Sequence, residues 1–320
     1  MITRRALPAL LSLAAPTIAY AQAFPDRQVR MIVPFPPGGL TDIMARLLAE
    51  RLGIVWQKPV IVENRAGGNA LIGADFVAKA APDGLTLLAM TMAHTVNVAL
   101  FPNAPYDFQR DLSAISVLGS LPLVVTVAEG HPARDLASLA ALTRQRSVSC
   151  ASSGSGSPPN LGLELFRREA RSGANLLHVP YRGGAPSVTD LVAGHVEMIV
   201  ANLPEVIAQL RGGRLRALAV TATARHALLP DVPTTAEAGL PGLLIGNWTG
   251  VMVPTSTPEP IQATIERAIL TALADPGLRA RAEEGGFDML GWDRARSARF
   301  MREEVARWSS VVAEAGMRPD

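Results

Sequence analysis

Residues 29–52 read VRMIVPFPPGGLTDIMARLLAERL. Val29 to Val33 is a short apolar run ending at Pro34, which reads as a strand. Pro36-Pro37-Gly38-Gly39 is a turn signal. Ile43, Met44, Leu47, Leu48 and Leu52 then fall at helical spacing, and Thr41 or Asp42 can cap that helix. The unit recurs: Val60-Ile61-Val62 is a strand, Ala66-Gly67-Gly68-Asn69 a loop and 70–80 a helix, and Thr86 to Met90 follows the turn Pro82-Asp83-Gly84 as another strand. Strand–loop–helix repetition predicts α/β architecture, with parallel sheets covered on both faces.

A second series starts near residue 122. Leu123–Val127, Ser147–Ala151, Leu176–Val179, Glu197–Val200 and Arg216–Val220 read as strands. Helices are expected at 134–145, from Asn160, at 185–193 and from about Leu203 to Leu210. Thr249–Val253 is a further strand, leading into helices at 259–273, 277–284 and 294–315.

Composition excludes several classes of protein. With 320 residues and 48% hydrophobic content, the chain is globular and long enough for two domains or one large one. One cysteine excludes an internal disulfide and a cysteine-cluster metal site. A formal charge of +2 is too small for a nucleic-acid binder.

The first 23 residues, MITRRALPALLSLAAPTIAYAQA, have the layout of a secretory signal peptide. Arg4 and Arg5 precede the uncharged run Ala6–Tyr20, and cleavage fits after Ala21 or Ala23. An uncleaved anchor is the weaker reading, because Pro8 and Pro16 interrupt a run shorter than the ~20 residues a spanning helix needs. Thr3-Arg4-Arg5 partly fits a twin-arginine signal, so the Sec and twin-arginine routes both stay open. Removing 1–23 takes away two arginines and no acid, leaving a formally neutral chain expected to be periplasmic.

On such sheets, ligands sit beyond the carboxyl ends of the strands, where the Gly-rich loops fall. In Pro34–Asp42 the prolines have no N–H, which leaves Phe35, Gly38, Gly39 and the first helical amides, including that of Thr41, as donors. Glycine permits close backbone approach, and a helix N-terminus attracts anions without a cationic side chain. A tight turn that binds nothing is the competing reading. The second loop offers Ser153, Gly154, Ser155 and Ser157; the third, Tyr181, Gly183, Gly184 and Ala185, with His178 just before it. Asn202 can contact a ligand or simply cap the following helix. Asp42 and Asp190 read as structural first-turn acids, and Cys150 as a buried small hydrophobe.

Enzyme and cofactor motifs are absent from the sequence. There is no G-x-x-x-x-G-K-[ST], no G-x-G-x-x-G after a strand, no G-x-S-x-G and no H-E-x-x-H. The expectation is therefore no catalysis, no cofactor and no metal. A hydrolase using the Ser-rich loop is the distant alternative; it needs a general base near Ser153 or Ser155.

The chain resembles the Bug family of extracytoplasmic solute receptors, the TctC-like binding proteins of tripartite tricarboxylate transporters. The resemblance rests on Val33–Gly39 with Asp42, Val62–Gly67, Pro82-Asp83-Gly84, Ala151–Ser157, Val179–Pro186, Leu215–Thr221, Pro230–Thr234 with Glu237, and Trp248-Thr249-Gly250. It implies a type II periplasmic binding protein fold, with two doubly wound α/β lobes around a ligand cleft. Lobe 1 would be 24–124 with 249–320 and lobe 2 would be 125–248, with crossings near 121–128 and 246–253. The family's first-lobe loop corresponds to Phe35–Thr41, and its second-lobe loops to Ser153–Ser157 and Pro180–Ala185. The implied function is capture of a mono- or dicarboxylate by a monomer that delivers it to membrane permease subunits; a receptor feeding a signalling partner is the alternative. Two positions depart from many relatives: Ala201 replaces an Asp before Asn202, and Asn160 replaces a His. Loss of the acid at 201 leads to an expected preference for non-amino carboxylates.

Overall fold

The structure, a computed structural model, describes residues 24–319, so the signal-peptide reading lies outside the described residues. In chain order the first elements are β1 (Val29–Val33), α1 (Leu40–Trp56), β2 (Val60–Asn64), α2 (Leu71–Ala78), β3 (Thr86–Thr91), α3 (Met92–Leu100) and α4 (Phe108–Asp111). Next come β4 (Leu112–Ala128), α5 (Leu136–Gln145), β5 (Val148–Ser152), α6 (Pro158–Ala170), β6 (Leu176–Pro180), α7 (Gly184–Ala193), β7 (Met198–Asn202), α8 (Leu203–Arg211) and β8 (Leu215–Val220). The chain ends with β9 (Gly246–Pro254), α9 (Glu259–Leu273), α10 (Pro276–Glu284), β10 (Asp288–Met289) and α11 (Arg294–Ala315).

Two sheets share one long strand. In the first, β2, β1 and β3 run parallel, and β9 and then β4 add antiparallel. In the second, β6, β5 and β7 run parallel, and the far end of β4 adds antiparallel between β7 and β8. The expectation of purely parallel sheets is corrected at these strands. They enter each sheet from the other one rather than through a local helical crossover, so they arrive with the opposite sense.

β4 changes sheet at Pro122. Leu112 to Pro122 pair with β9, and Leu123 to Val127 with β7. A proline inside a strand removes a ladder donor, which is tolerated where pairing is handed from one partner to another. Thr221 fastens the crossing: its Oγ1 accepts from Leu123 N (3.0 Å) and donates to Ile245 O (2.5 Å).

The sequence pattern does not give α3, the first half of β4, or the short α4 and β10. Residues 92–100 form α3, whose residues are nearly all buried, so no polar face marks its period. Thr91 caps it, accepting from Ala93 N, while His94 Nδ1 accepts from Thr91 N. The first half of β4 carries Ser113, Ser116, Gly119 and Pro122, which dilute the strand signal. α11 closes the core through Met301, Val305, Trp308 and Val312, all buried. Among the described residues no helix is long and apolar enough to cross a membrane.

Candidate functional site

Four strand-to-helix loops meet in one narrow cleft between the two sheets. Loop one joins β1 to α1. Asn64, at the end of β2 and level with Val33, donates from Nδ2 to Phe35 O (3.0 Å) and to Asp42 Oδ1 (2.9 Å). Asp42 also accepts from Gly38 N (3.0 Å) and from Arg46 Nε (2.9 Å). Burial alone would push the Asp42 carboxyl up, but the bonds from Arg46, Gly38 and Asn64 win and hold it below its ordinary range. Gly38 has φ +85°, the left-handed region that favours glycine. The amide of Gly38, read from sequence as a ligand donor, is thus committed to Asp42.

Loop two joins β5 to α6. Ser157 is the N-cap of α6 and Pro158 and Pro159 follow, positions where a missing N–H costs nothing. Ser157 Oγ donates to Gly154 O (2.6 Å), and Gly156 N donates to Asn160 Oδ1 (2.9 Å). Asn160 therefore braces the loop. Asn69, from the opposite side, reaches the Ser155 carbonyl with its Nδ2. Ser153 Oγ is buried and has no hydrogen-bond partner.

In loop three, Tyr181 N donates to Ser152 O (3.0 Å), fixing the third loop against the second. The Tyr181 hydroxyl donates to Asp190 Oδ2 (2.6 Å), and burial first, then that carboxylate, push the phenol up to about 12. His178 Nε2 lies 2.6 Å from Ser152 Oγ. Ser152 is fully buried and also binds Gly154 N (3.1 Å), so this pair shapes the loop rather than facing the cleft.

Loop four brings β7 into α8. Asn202 occupies the N-cap position, but its side chain caps no amide. It donates to Glu205 Oε2 (2.9 Å) and accepts from Asn247 Nδ2 of β9 (2.8 Å). Glu205 Oε1 in turn accepts from Leu40 N, the first amide of α1 on the opposite wall (3.2 Å). Burial raises the Glu205 carboxyl above its ordinary range, and bonds from the Asn202 side chain, Leu40 N and Asn202 N offset only part of that.

Nine of the expected residues line the cleft: Phe35, Gly39, Thr41, Ser153, Ser157, Gly183, Gly184, Ala185 and Asn202. Gly38, Gly154, Ser155, His178 and Tyr181 are not among its lining residues. Leu40, within the expected first loop, also lines it, as do Thr91 at the end of β3, Ala93 of α3, Asn247 and Glu205, which were not read from the sequence. Glu205 is the only charged lining residue; no lysine, arginine or histidine joins it. The free volume between these walls is about 30 Å³, room for one or two waters. A larger crevice of about 1050 Å³ opens between Ser120–Pro122, Thr221–Leu228 and α10, but none of the four loops reaches it.

A base is paired with a loop serine, but it is not the one the hydrolase reading needs. His178 meets buried Ser152, while no histidine lines the cleft beside Ser153 or Ser157. Cys150 is fully buried and its thiol is pushed well up by burial, which leaves it inert. Among the described residues no cluster of metal-ligating side chains occurs.

Two α/β halves joined by crossing strands, with helix N-termini facing one cleft, define a periplasmic binding protein of the mixed α/β type. The chain belongs to the tripartite tricarboxylate transporter family of receptors, whose family model matches residues 44–317. It is 39% identical to Protein BugT of Bordetella pertussis over 97% of this chain and 95% of that protein. It superposes on MatC of Rhodopseudomonas palustris, solved with bound malate, at TM-score 0.83 and 33% identity, over 90% of this chain and all of that one. It superposes on R. palustris Rpa4515, solved with adipate, at TM-score 0.88 and 33% identity, over 93% of this chain and all of that one. The chain is thus a transport receptor, not an enzyme.

Proposed function

We propose that this receptor captures a small mono- or dicarboxylate between a lobe of residues 24–124 with 249–320 and a lobe of 125–248. The lobes close about the β4 and β9 crossings, and the closed receptor hands its ligand to membrane permease subunits of a tripartite tricarboxylate-type transporter. It acts as a periplasmic monomer after export on residues 1–23. The observation that carries this reading is the convergence of the α1, α6, α7 and α8 N-termini from two sheets on one cleft. The unpartnered Ser153 hydroxyl supports it, since a buried donor left unbonded calls for a partner. The malate and adipate held by two relatives fit the same chemistry.

A thermal-shift screen of three- to six-carbon carboxylates, followed by calorimetry, tests it. A ligand at a hundred times its Kd adds about 2.7 kcal/mol of apparent stability, a rise of several degrees. The absence of any shift across the series would reject carboxylates as the ligand class.

A further inference from the structure

We infer that Glu205 is a specificity-determining residue of this cleft: it selects carboxylates that carry a neighbouring hydrogen-bond donor, a hydroxyl or an ammonium, over plain dicarboxylates. The inference rests on the carboxylate reading above and adds which carboxylates are taken.

Four observations carry it. First, Glu205 is the only charged side chain among the lining residues, so among the described residues nothing on the walls neutralises it. Second, it lies where the sequence pattern would seat a ligand anion: Oε1 is on Leu40 N at the start of α1, and the backbone of Gly184 at the start of α7 packs against it. A Cβ on Gly184 would come within 2.1 Å of Oε1, so glycine is required for this approach.

Third, the carboxylate is anchored. Asn202 Nδ2 holds Oε2 and is itself held by Asn247, so the group is not free to swing out of the way. Fourth, a carboxylate accepts about four hydrogen bonds, and two are taken by Leu40 N and Asn202 Nδ2, donors that favour the ionised form against the burial that raises the group. The remaining acceptor positions suit a ligand donor. A second bare carboxylate placed there meets like charge with no cation between.

These observations bear on the expectation drawn from position 201, which the order of hydroxyl and ammonium ligands tests. Ala201 is fully buried in β7, and an acid one helical turn further on, Glu205, supplies the cleft carboxylate instead.

The test is calorimetry of the mature receptor against matched sets: succinate, malate and aspartate; glutarate, 2-hydroxyglutarate and glutamate; propionate, lactate and alanine. Wild type is expected to bind the best donor-bearing member of a set at least about tenfold tighter than its plain counterpart. The order of hydroxyl and ammonium members tells which donor is used. Glu205→Gln keeps the size and loses the charge; it should cut that ratio at least about fivefold, mainly by tightening the plain acid. Glu205→Ser serves if the glutamine variant does not fold, with thermal melts as the control. An unchanged ratio in a folded variant, or a wild-type preference for the plain acid, would overturn the assignment while leaving carboxylate capture intact. Failure of every carboxylate to bind wild type and variant alike would remove both readings.

Discussion

Asp42→Asn is the sharpest test of how the first loop is built. The carboxylate is almost wholly buried and accepts from Gly38 N, Asn64 Nδ2 and two nitrogens of Arg46. An asparagine of the same shape keeps one acceptor and turns an amide N–H₂ towards donors. Bonds to a charged group contribute about 1.5–3 kcal/mol each, but Arg46 is more than half exposed and its share is screened. The expected loss is about 2–4 kcal/mol, within the 5–15 kcal/mol typical of a folded domain, so the variant should fold. The sign of the pH dependence follows from the depressed carboxyl. Its stabilisation is fully present above the ordinary value of 3.8 and is lost as pH falls through the lower folded value. Urea unfolding at pH 7 should therefore separate wild type from variant, and the gap should narrow below pH 3.8. Ligand affinity at pH 7 should also fall, because Gly38 and Phe35 lose their tether. Equal midpoints at pH 7, or a gap independent of pH, would refute the account of Asp42 as the ionised keystone of the loop.

Three further substitutions probe the cleft. Ser153→Ala removes a hydroxyl with no protein partner, so melting should be unchanged while carboxylate affinity falls several-fold in calorimetry; unchanged affinity would take Ser153 out of the site. Asn202→Ala strips partners from Glu205 and Asn247, and should cost about 1–3 kcal/mol in denaturant unfolding together with ligand affinity. A stability loss with affinity intact would reduce Asn202 to a brace. Gly38→Val forces a β-branched residue to φ +85° and drives its methyls towards Ala185 Cβ, 3.8 Å from the new Cβ across the cleft. It should lower the melting temperature and weaken binding, and wild-type behaviour in both would contradict the strained-loop geometry.

Much of this fold was legible because its elements are amphipathic and its turns carry glycine and proline. α1 was read from Ile43, Met44, Leu47, Leu48 and Leu52, and four of those five are buried where the spacing puts them. α9 and α11 begin and end where the pattern placed them. α3 was not legible, because a helix buried on every side has no polar face to set its period. Nor was the first half of β4, since a strand that changes partners carries a proline and small polar residues that read as a turn. The antiparallel insertion of β4 and β9 lies beyond local pattern altogether: it follows from the chain passing twice between the sheets.

Within the site, backbone features were read better than side-chain roles. The loops that approach the cleft announce themselves by glycine, serine and proline, but which of their groups faces inward depends on contacts far away in sequence. Gly38 donates to Asp42, Tyr181 turns to Asp190 and His178 binds Ser152, so each of these residues carries a bond within the protein that the sequence pattern does not announce. Glu205 shows the converse. At the third position of α8, by sequence alone, it is an ordinary first-turn acid, favoured there by the helix dipole. Only the fold reveals that its carboxylate crosses to Leu40, 165 residues earlier, on the wall opposite. A cleft of helix N-termini around a fixed carboxylate is no longer a general anion trap: the amides that would neutralise a bare ligand charge are partly spent on Glu205. Selectivity then comes from what the ligand offers that carboxylate, which a reading confined to the glycine-rich loops does not contain.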